Sequence, residues 1–426
     1  MKLLHLVLLA ITILNQTSCE LLYESVVLDW EWPDDSVKAD YIARGEYVPE
    51  ACQPSALKVG DNNTIFVTVP RLRFKDGVPA GLNTVILKND DDKQGVLRPY
   101  PNWEINKLGN CSGLQLPMSI AIDPRTGYLY VIDVGRVGIM SPTDPPVNLC
   151  PAKIVVLDTR NGGSIVRSHE FPDSVVSGTR NFLNDIVLDY VDPDHVTGVR
   201  YAYISDTMGE QLVVFDFTTN KSWSFNHTAS MSYDKDSTLS INGKSYNFTM
   251  GINGIAMSPT FNYVYYSALG SKKLWQIPTW VLRDKDADFV ANLRLVGHKK
   301  SNSDALLFGH KGIYYGALEY DAIYRWEIEK DLLDQGVSEG EVKLVTETVL
   351  AQNWETLQWP DGLGFGSLDH SNLYYVSARA QLFHNGKLNF TGAQGYNYRI
   401  GRIEVSDESY LRLFSLNYFP HISIVG

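Results

Sequence analysis

The runs LNDIVLDY (183–190), YAYISD (201–206), QLVVFDF (211–217) and KSWSFNH (221–227) decide the fold. Each is short and rich in β-branched and aromatic residues, and turn-forming residues separate them. This pattern reads as four antiparallel strands joined in series. The first run recurs along the chain as a polar or small residue, a short residue, Leu or Ile, any residue, and an apolar residue. The six copies start at Ser55 (SALKV), Met118 (MSIAI), Asn184 (NDIVL), Asn253 (NGIAM), Asp304 (DALLF) and Asp361 (DGLGF), at intervals of 51 to 69 residues. A second and a third β-rich run follow each copy, as in YLYVID (128–133) and KIVVLDT (153–159). Six such units predict an all-β fold, a six-bladed β-propeller with four-stranded antiparallel blades. A single four-stranded sheet cannot cover both of its faces, but sheets packed radially cover one another. The ring must then close, or two blades expose apolar faces. The strand-like segment LYESVVLDWEW (22–32) lies outside the six units and is expected to pair with the last blade and latch the ring.

The chain has 426 residues, 12% of them aromatic, with 24 tyrosines and a net charge of −12. No run of Lys or Arg exceeds two, so a phosphate backbone meets net repulsion and nucleic acid is excluded as a partner. At the N-terminus, Lys2 and the apolar run LLHLVLLAITIL (3–14) read as a signal peptide over residues 1–19, leaving 20–426 as one propeller domain. No apolar run is long enough for a comfortable transmembrane segment. After the expected leader, six N-x-S/T sequons begin at Asn62, Asn110, Asn220, Asn226, Asn247 and Asn389. Together with the leader they predict a secreted, extracellular glycoprotein. Of the four cysteines, Cys19 falls at the cleavage point. Cys111 and Cys150 flank the same sheet segment and are the expected disulfide, which leaves Cys52 unpaired.

In a propeller the first strand of each blade lines the central channel. The repeat therefore stacks Ser55, Met118, Asn184, Asn253, Asp304 and Asp361 around one mouth. The second-strand ends, Thr68, Asp133, Asp206, Ser267 and Ser377, are expected nearby. Such a ring of oxygens has three readings. It is a self-satisfied polar network, a pocket for a small cationic or aromatic ligand, or a calcium-dependent hydrolase site drawing on Asn184, Asn253 and Asp304 or Asp361. No cofactor other than that calcium is implied, and the sequence assigns no catalytic residue. Neither a G-x-S-x-G elbow nor H-E-x-x-H is present, and GLGFG (362–366) sits in an inner strand rather than before a helix.

The segments FVTVPRLRFKDGVPAGLNTV (66–85), GNCSGLQLPMSIAID (109–123), LCPAKIVVLDT (149–159), AYISDTMGEQLVVFDF (202–217) and INGIAMSP (252–259) resemble, in this order, the Yellow / major royal jelly proteins. The resemblance runs along nearly the whole chain after the leader. It implies a secreted six-bladed propeller. It also implies roles that range from cuticle pigmentation, with dopachrome-converting activity in some members, to amine binding in salivary relatives and nutrition in royal jelly. Two cysteines usual in the family are absent here, one in the strand at 121–133 and one in the third blade. By position, the family's amine pocket corresponds to Ser377, Asn397 and Tyr398, with Asp206 and Asn184 close by. A small aromatic amine or catechol-type ligand is therefore expected. Asp206, Asp133 or Asp361 would pair with its ammonium, Asn184, Asn253, Ser377 and Asn397 would hydrogen-bond to it, and Tyr398 would stack on its ring.

Overall fold

The computed structural model of the chain describes residues 19–88, 93–193 and 196–412. The expected leader lies outside these residues except for Cys19. Six four-stranded antiparallel sheets follow one another around an axis. Blade I comprises Leu57–Gly60, Thr64–Thr68, Leu82–Leu87 and Gly95–Pro99. Blade III is Leu183–Asp189, Tyr201–Asp206, Gln211–Asp216 and Lys221–Asn226. The inner strands of blades II, IV, V and VI are Pro117–Asp123, Ile252–Met257, Leu306–Phe308 and Pro360–Phe365. Each inner strand lies against those of its two neighbouring blades, and the sixth lies against the first, so the ring is closed.

Closure depends on the N-terminal segment. Cys19–Ser25 pairs antiparallel with Tyr398–Glu404 and supplies the outermost strand of blade VI. The expected latch is longer than this strand. Past Ser25 the chain leaves blade VI and runs onto blade I, where the Glu31 amide donates to the Leu97 carbonyl and the Trp30 indole donates to Asn83 Oδ1 at 2.8 Å. The last and first blades are thus sewn together by one segment. Apolar side chains fill the wedges between blades, as where Tyr265 meets Trp326 and Tyr314 meets Phe365. Burying each such side chain contributes about 1.5–3 kcal/mol.

Cys111 and Cys150 form a disulfide that ties the entry of blade II to its third strand. Closing a loop of 39 residues this way removes unfolded-state freedom worth about 4 kcal/mol. Cys52 is a buried free thiol. Four sequon asparagines, Asn62, Asn220, Asn226 and Asn247, are exposed, and Asn110 and Asn389 are half-buried. Among the described residues no helix is long and apolar enough to cross a membrane.

Candidate functional site at the channel mouth

The inner strands of blades II, III, IV and VI each carry a register shift near their start. In blade III the pairing steps from Leu183–Asp206 to Ile186–Ile204, and in blade VI from Pro360–Ser377 to Leu363–Tyr375. Blades II and IV shift at the same point. A bulge of this kind bends the strand and re-aims the residues it adds. Those residues are Met118, Asn184 with Asp185, Asn253 with Gly254, and Asp361 with Gly362. The glycines are required for close approach: a Cβ on Gly362 would stand 2.2 Å from the Leu57 nitrogen, and one on Gly254 would stand 2.4 Å from the Asp304 oxygen.

The bulges of these four blades and the unbulged strand entries of the other two bring the repeat starts together. Ser55, Met118, Asn184, Asn253 and Asp361 line one small cavity on the axis, of about 20 Å³. Asp304 stands beside it, in electrostatic contact with Asp361 and hydrogen-bonded to Asn253. Three further lining residues, Lys58, Ser119 and Asp185, were not expected from the repeat. The Ser55 hydroxyl donates to Asp361 Oδ2 at 2.8 Å, the Ser119 hydroxyl to Asp185 Oδ1 at 3.0 Å, and the Trp359 indole to Asp304 Oδ2 at 2.7 Å. Lys58 Nζ donates to the Leu363 carbonyl at 2.6 Å. The groups turned on these carboxylates include the O–H donors of Ser55 and Ser119 and the N–H donor of Trp359. Among the described residues no group of three or more His, Cys, Asp or Glu is arranged for a metal ion.

These groups keep a little surface on the channel void but have protein on every side, so burial governs their acidity. It pushes the Asp304 carboxyl up to about 6. Asp361 is held well above the ordinary carboxylate range, first by burial and then by the neighbouring charge of Asp304. Burial raises Asp185 and lowers Lys58, and their mutual attraction opposes both shifts.

The other expected residues lie elsewhere. Asp133 accepts from the Leu116 amide at 2.7 Å and the Gln115 amide at 3.0 Å, and Lys153 Nζ is 3.7 Å away. Asp206 accepts from the Phe182 amide, the Gly209 amide and Gln211 Nε2. Both carboxylates clamp the loop that enters the inner strand of their own blade. Ser377 does the same work in blade VI, its hydroxyl donating to the Thr356 carbonyl. Asn397 donates to the carbonyls of Val26 and Asn389, and the Tyr398 hydroxyl donates to the Cys52 carbonyl from the core between blades VI and I. Asn397 and Tyr398 therefore hold the latch, and Tyr398 presents no free ring face to the channel.

The lower half of the channel differs. A cavity of about 70 Å³ lies there, lined by apolar residues such as Ile186, Val187, Met257 and Phe365. Lys58 and Asp185 border both cavities and form the waist between them. The segment Ser409–Arg412 closes the bottom. The Tyr410 hydroxyl accepts from the Leu188 amide at 2.9 Å and donates to the Leu188 carbonyl at 3.1 Å.

Residues 117–411 match the family described as Major royal jelly protein, a stretch that covers five of the six inner strands. The chain belongs to this family. Among its relatives, Protein yellow of Drosophila melanogaster is 31% identical over 280 residues, 62% of this chain and 49% of that protein. Major royal jelly protein 1 of Apis mellifera is 32% identical over 275 residues, 63% of this chain and 60% of that protein. The chain thus spans about half the length of the fly relative that it matches. Of solved structures, a luciferin-regenerating enzyme aligns over 85% of this chain and 96% of its own, with 12% identity and a TM-score of 0.46. The fold and the family agree with the repeat count.

Proposed function

We propose that this family member is a secreted glycoprotein that takes a small aromatic amine or catechol-derived ligand at the upper mouth of its channel. One observation carries the reading: three carboxyl groups, two amides and two hydroxyls converge on one axial cavity with a single lysine. With its carboxyls ionised the cavity is anionic, and a cationic head is the ligand that gains most from it. A cavity of about 20 Å³ holds one water-sized group, which suits an ammonium and not a ring. Asp361 and Asp304 pair with the ammonium in this reading, and Asn184, Asn253 and Ser55 orient it. The apolar leader-like run, the surface sequons and the disulfide support secretion.

Titration calorimetry with serotonin, dopamine and histamine tests the reading. Heat of binding is expected at micromolar to millimolar ligand, and its absence for all three removes the proposal. Affinity is also expected to rise with pH through about 6 as Asp304 ionises.

A second reading rests on the protonation of the same pair. Two neighbouring buried carboxyls, one pushed up to about 6 and the other held well above the ordinary carboxylate range, suit proton transfer on a dopachrome-type ring. Spectrophotometric consumption of dopachrome, abolished in Asp361→Asn, is the expected result. No turnover by the intact chain would overturn it.

A further inference from the structure

The upper mouth is covered. Thr238–Ile241 and Lys244–Asn247 form a two-stranded hairpin that belongs to no blade and is inserted between blades III and IV. Its tip, Asn242-Gly243, has φ of 50° and 68°, the left-handed pair that a tight hairpin turn demands. Leu239 and Ile241 of the hairpin pack in one apolar cluster with Leu269, Leu318 and Ala380. Those three residues follow the second strands of blades IV, V and VI, at the end where the inner strands begin. The hairpin therefore lies across the mouth.

Trp359 joins this cover to the ring below. It precedes the inner strand of blade VI and has φ of 50°. That backbone region is unfavourable for a bulky side chain and persists only where surrounding contacts fix it. Trp359 is buried in the same apolar cluster, and two of its contacts tie the cover to the ring. The Trp359 ring meets the Phe248 ring at the foot of the hairpin, with centroids 4.9 Å apart, and its indole N–H donates to Asp304 Oδ2 at 2.7 Å. A buried carboxylate needs donors; Asn253 in the ring supplies one and the cover supplies the other.

We propose that the hairpin and Trp359 form a gate, and that the indole N–H is a stand-in for the ligand's ammonium on Asp304. This rests on the amine-binding reading. An ammonium replaces the indole by making a stronger, charge-assisted bond. The aryl body of the ligand is too large for the cavity beneath and takes the space vacated under Phe248 and Trp359, whose rings then wall it. Without ligand the gate closes, because opening it would leave Asp304 with Asn253 as its remaining donor.

The test uses the full chain, wild type and Trp359→Phe, with serotonin as the probe. Phenylalanine keeps an aromatic ring, smaller than indole, and removes the N–H. Serotonin affinity is expected to rise about tenfold, the scale of one hydrogen bond to a charged acceptor. Unchanged or weaker affinity in a folded variant overturns the proposal. Hydrogen exchange reads the gate without ligand. Amides of Thr238–Asn247 are expected to lose about tenfold protection in Trp359→Phe while the blade strands keep theirs; equal protection overturns the gate. Phe248→Leu is expected to loosen the same amides and serves if the first variant does not fold. A wild-type protein that ignores serotonin, with the hairpin still loosened in Trp359→Phe, would remove the ligand reading and leave the gate standing.

Discussion

At its upper end the channel is lined by Ser55, Asn184, Asn253 and Asp361, whereas three to four residues further along the same strands the lining is Val59, Val187, Met257 and Phe365. The upper cavity gathers charge under a removable cover, and the lower one is apolar and closed by Tyr410, hydrogen-bonded to the backbone of blade III. The difference follows from strand geometry. In mid-strand, ladder pairing on one side and neighbouring blades on both faces leave room only for apolar packing. At the bulged start the ladder is interrupted, and side chains there are free to be polar. Chemistry collects where pairing is broken, and stability where it is not.

The contrast can be broken outright at the ring. Gly362→Ala places a methyl 2.2 Å from the Leu57 nitrogen and 2.6 Å from the Ser55 oxygen. Backbone cannot yield as a side chain can, so a loss above ~4 kcal/mol is expected in urea unfolding, with both halves of the channel affected. The next effect belongs to the lower half alone. Tyr410→Ala removes a ring that is 4% exposed and two hydrogen bonds, and is expected to cost about 3 kcal/mol. Serotonin affinity at the upper mouth should stay within a factor of about two; a larger change would show that the halves are coupled.

The upper half predicts the opposite sign. Burial holds the Asp304 carboxyl at about 6, above its unfolded value. The folded state then binds more protons than the unfolded state between about pH 4 and 6, so stability falls as pH rises through that window and is level above it. Asp304→Asn removes the fall and still accepts from Trp359. It should equal wild type near pH 4 and be about 1–3 kcal/mol more stable at pH 7.5, measured by thermal unfolding against pH. Destabilisation at pH 7.5 would refute this assignment. The smallest effect is Ser119→Ala, which deprives Asp185 of one donor and should cost about 0.5–1 kcal/mol.

The six blades and their axial register were legible because the repeat start is a fixed offset from the first apolar pair in every unit. Lys58 and Asp185 were not, since the repeat treats their positions as variable or short, and only the ring shows that they face inward. Asp133 and Asp206 read as channel groups because they end strands with a carboxylate. Their side chains turn instead to the amides of the strand-entry loops, a direction set by three-dimensional loop paths that residue type does not encode. Tyr398 was displaced by the wedge between blades VI and I, whose shape depends on the N-terminal segment some 370 residues earlier. The cover over the mouth had a local signal in Asn242-Gly243, within a stretch otherwise polar enough to pass for a loop.

The shared strand Cys19–Ser25 sets a schedule for biosynthesis. It emerges early from the ribosome, yet its partner Tyr398–Glu404 is made more than 370 residues later, roughly 20–75 s at ~5–20 residues per second. Throughout that interval the segment has contacts from blade I, such as the Lys93 carbonyl that accepts from the Glu24 amide, but no strand to pair with, and the growing arc of blades has an uncovered face at each end. Any factor that shields a single short β segment during translation would therefore raise the yield of closed rings more than one acting on the finished chain.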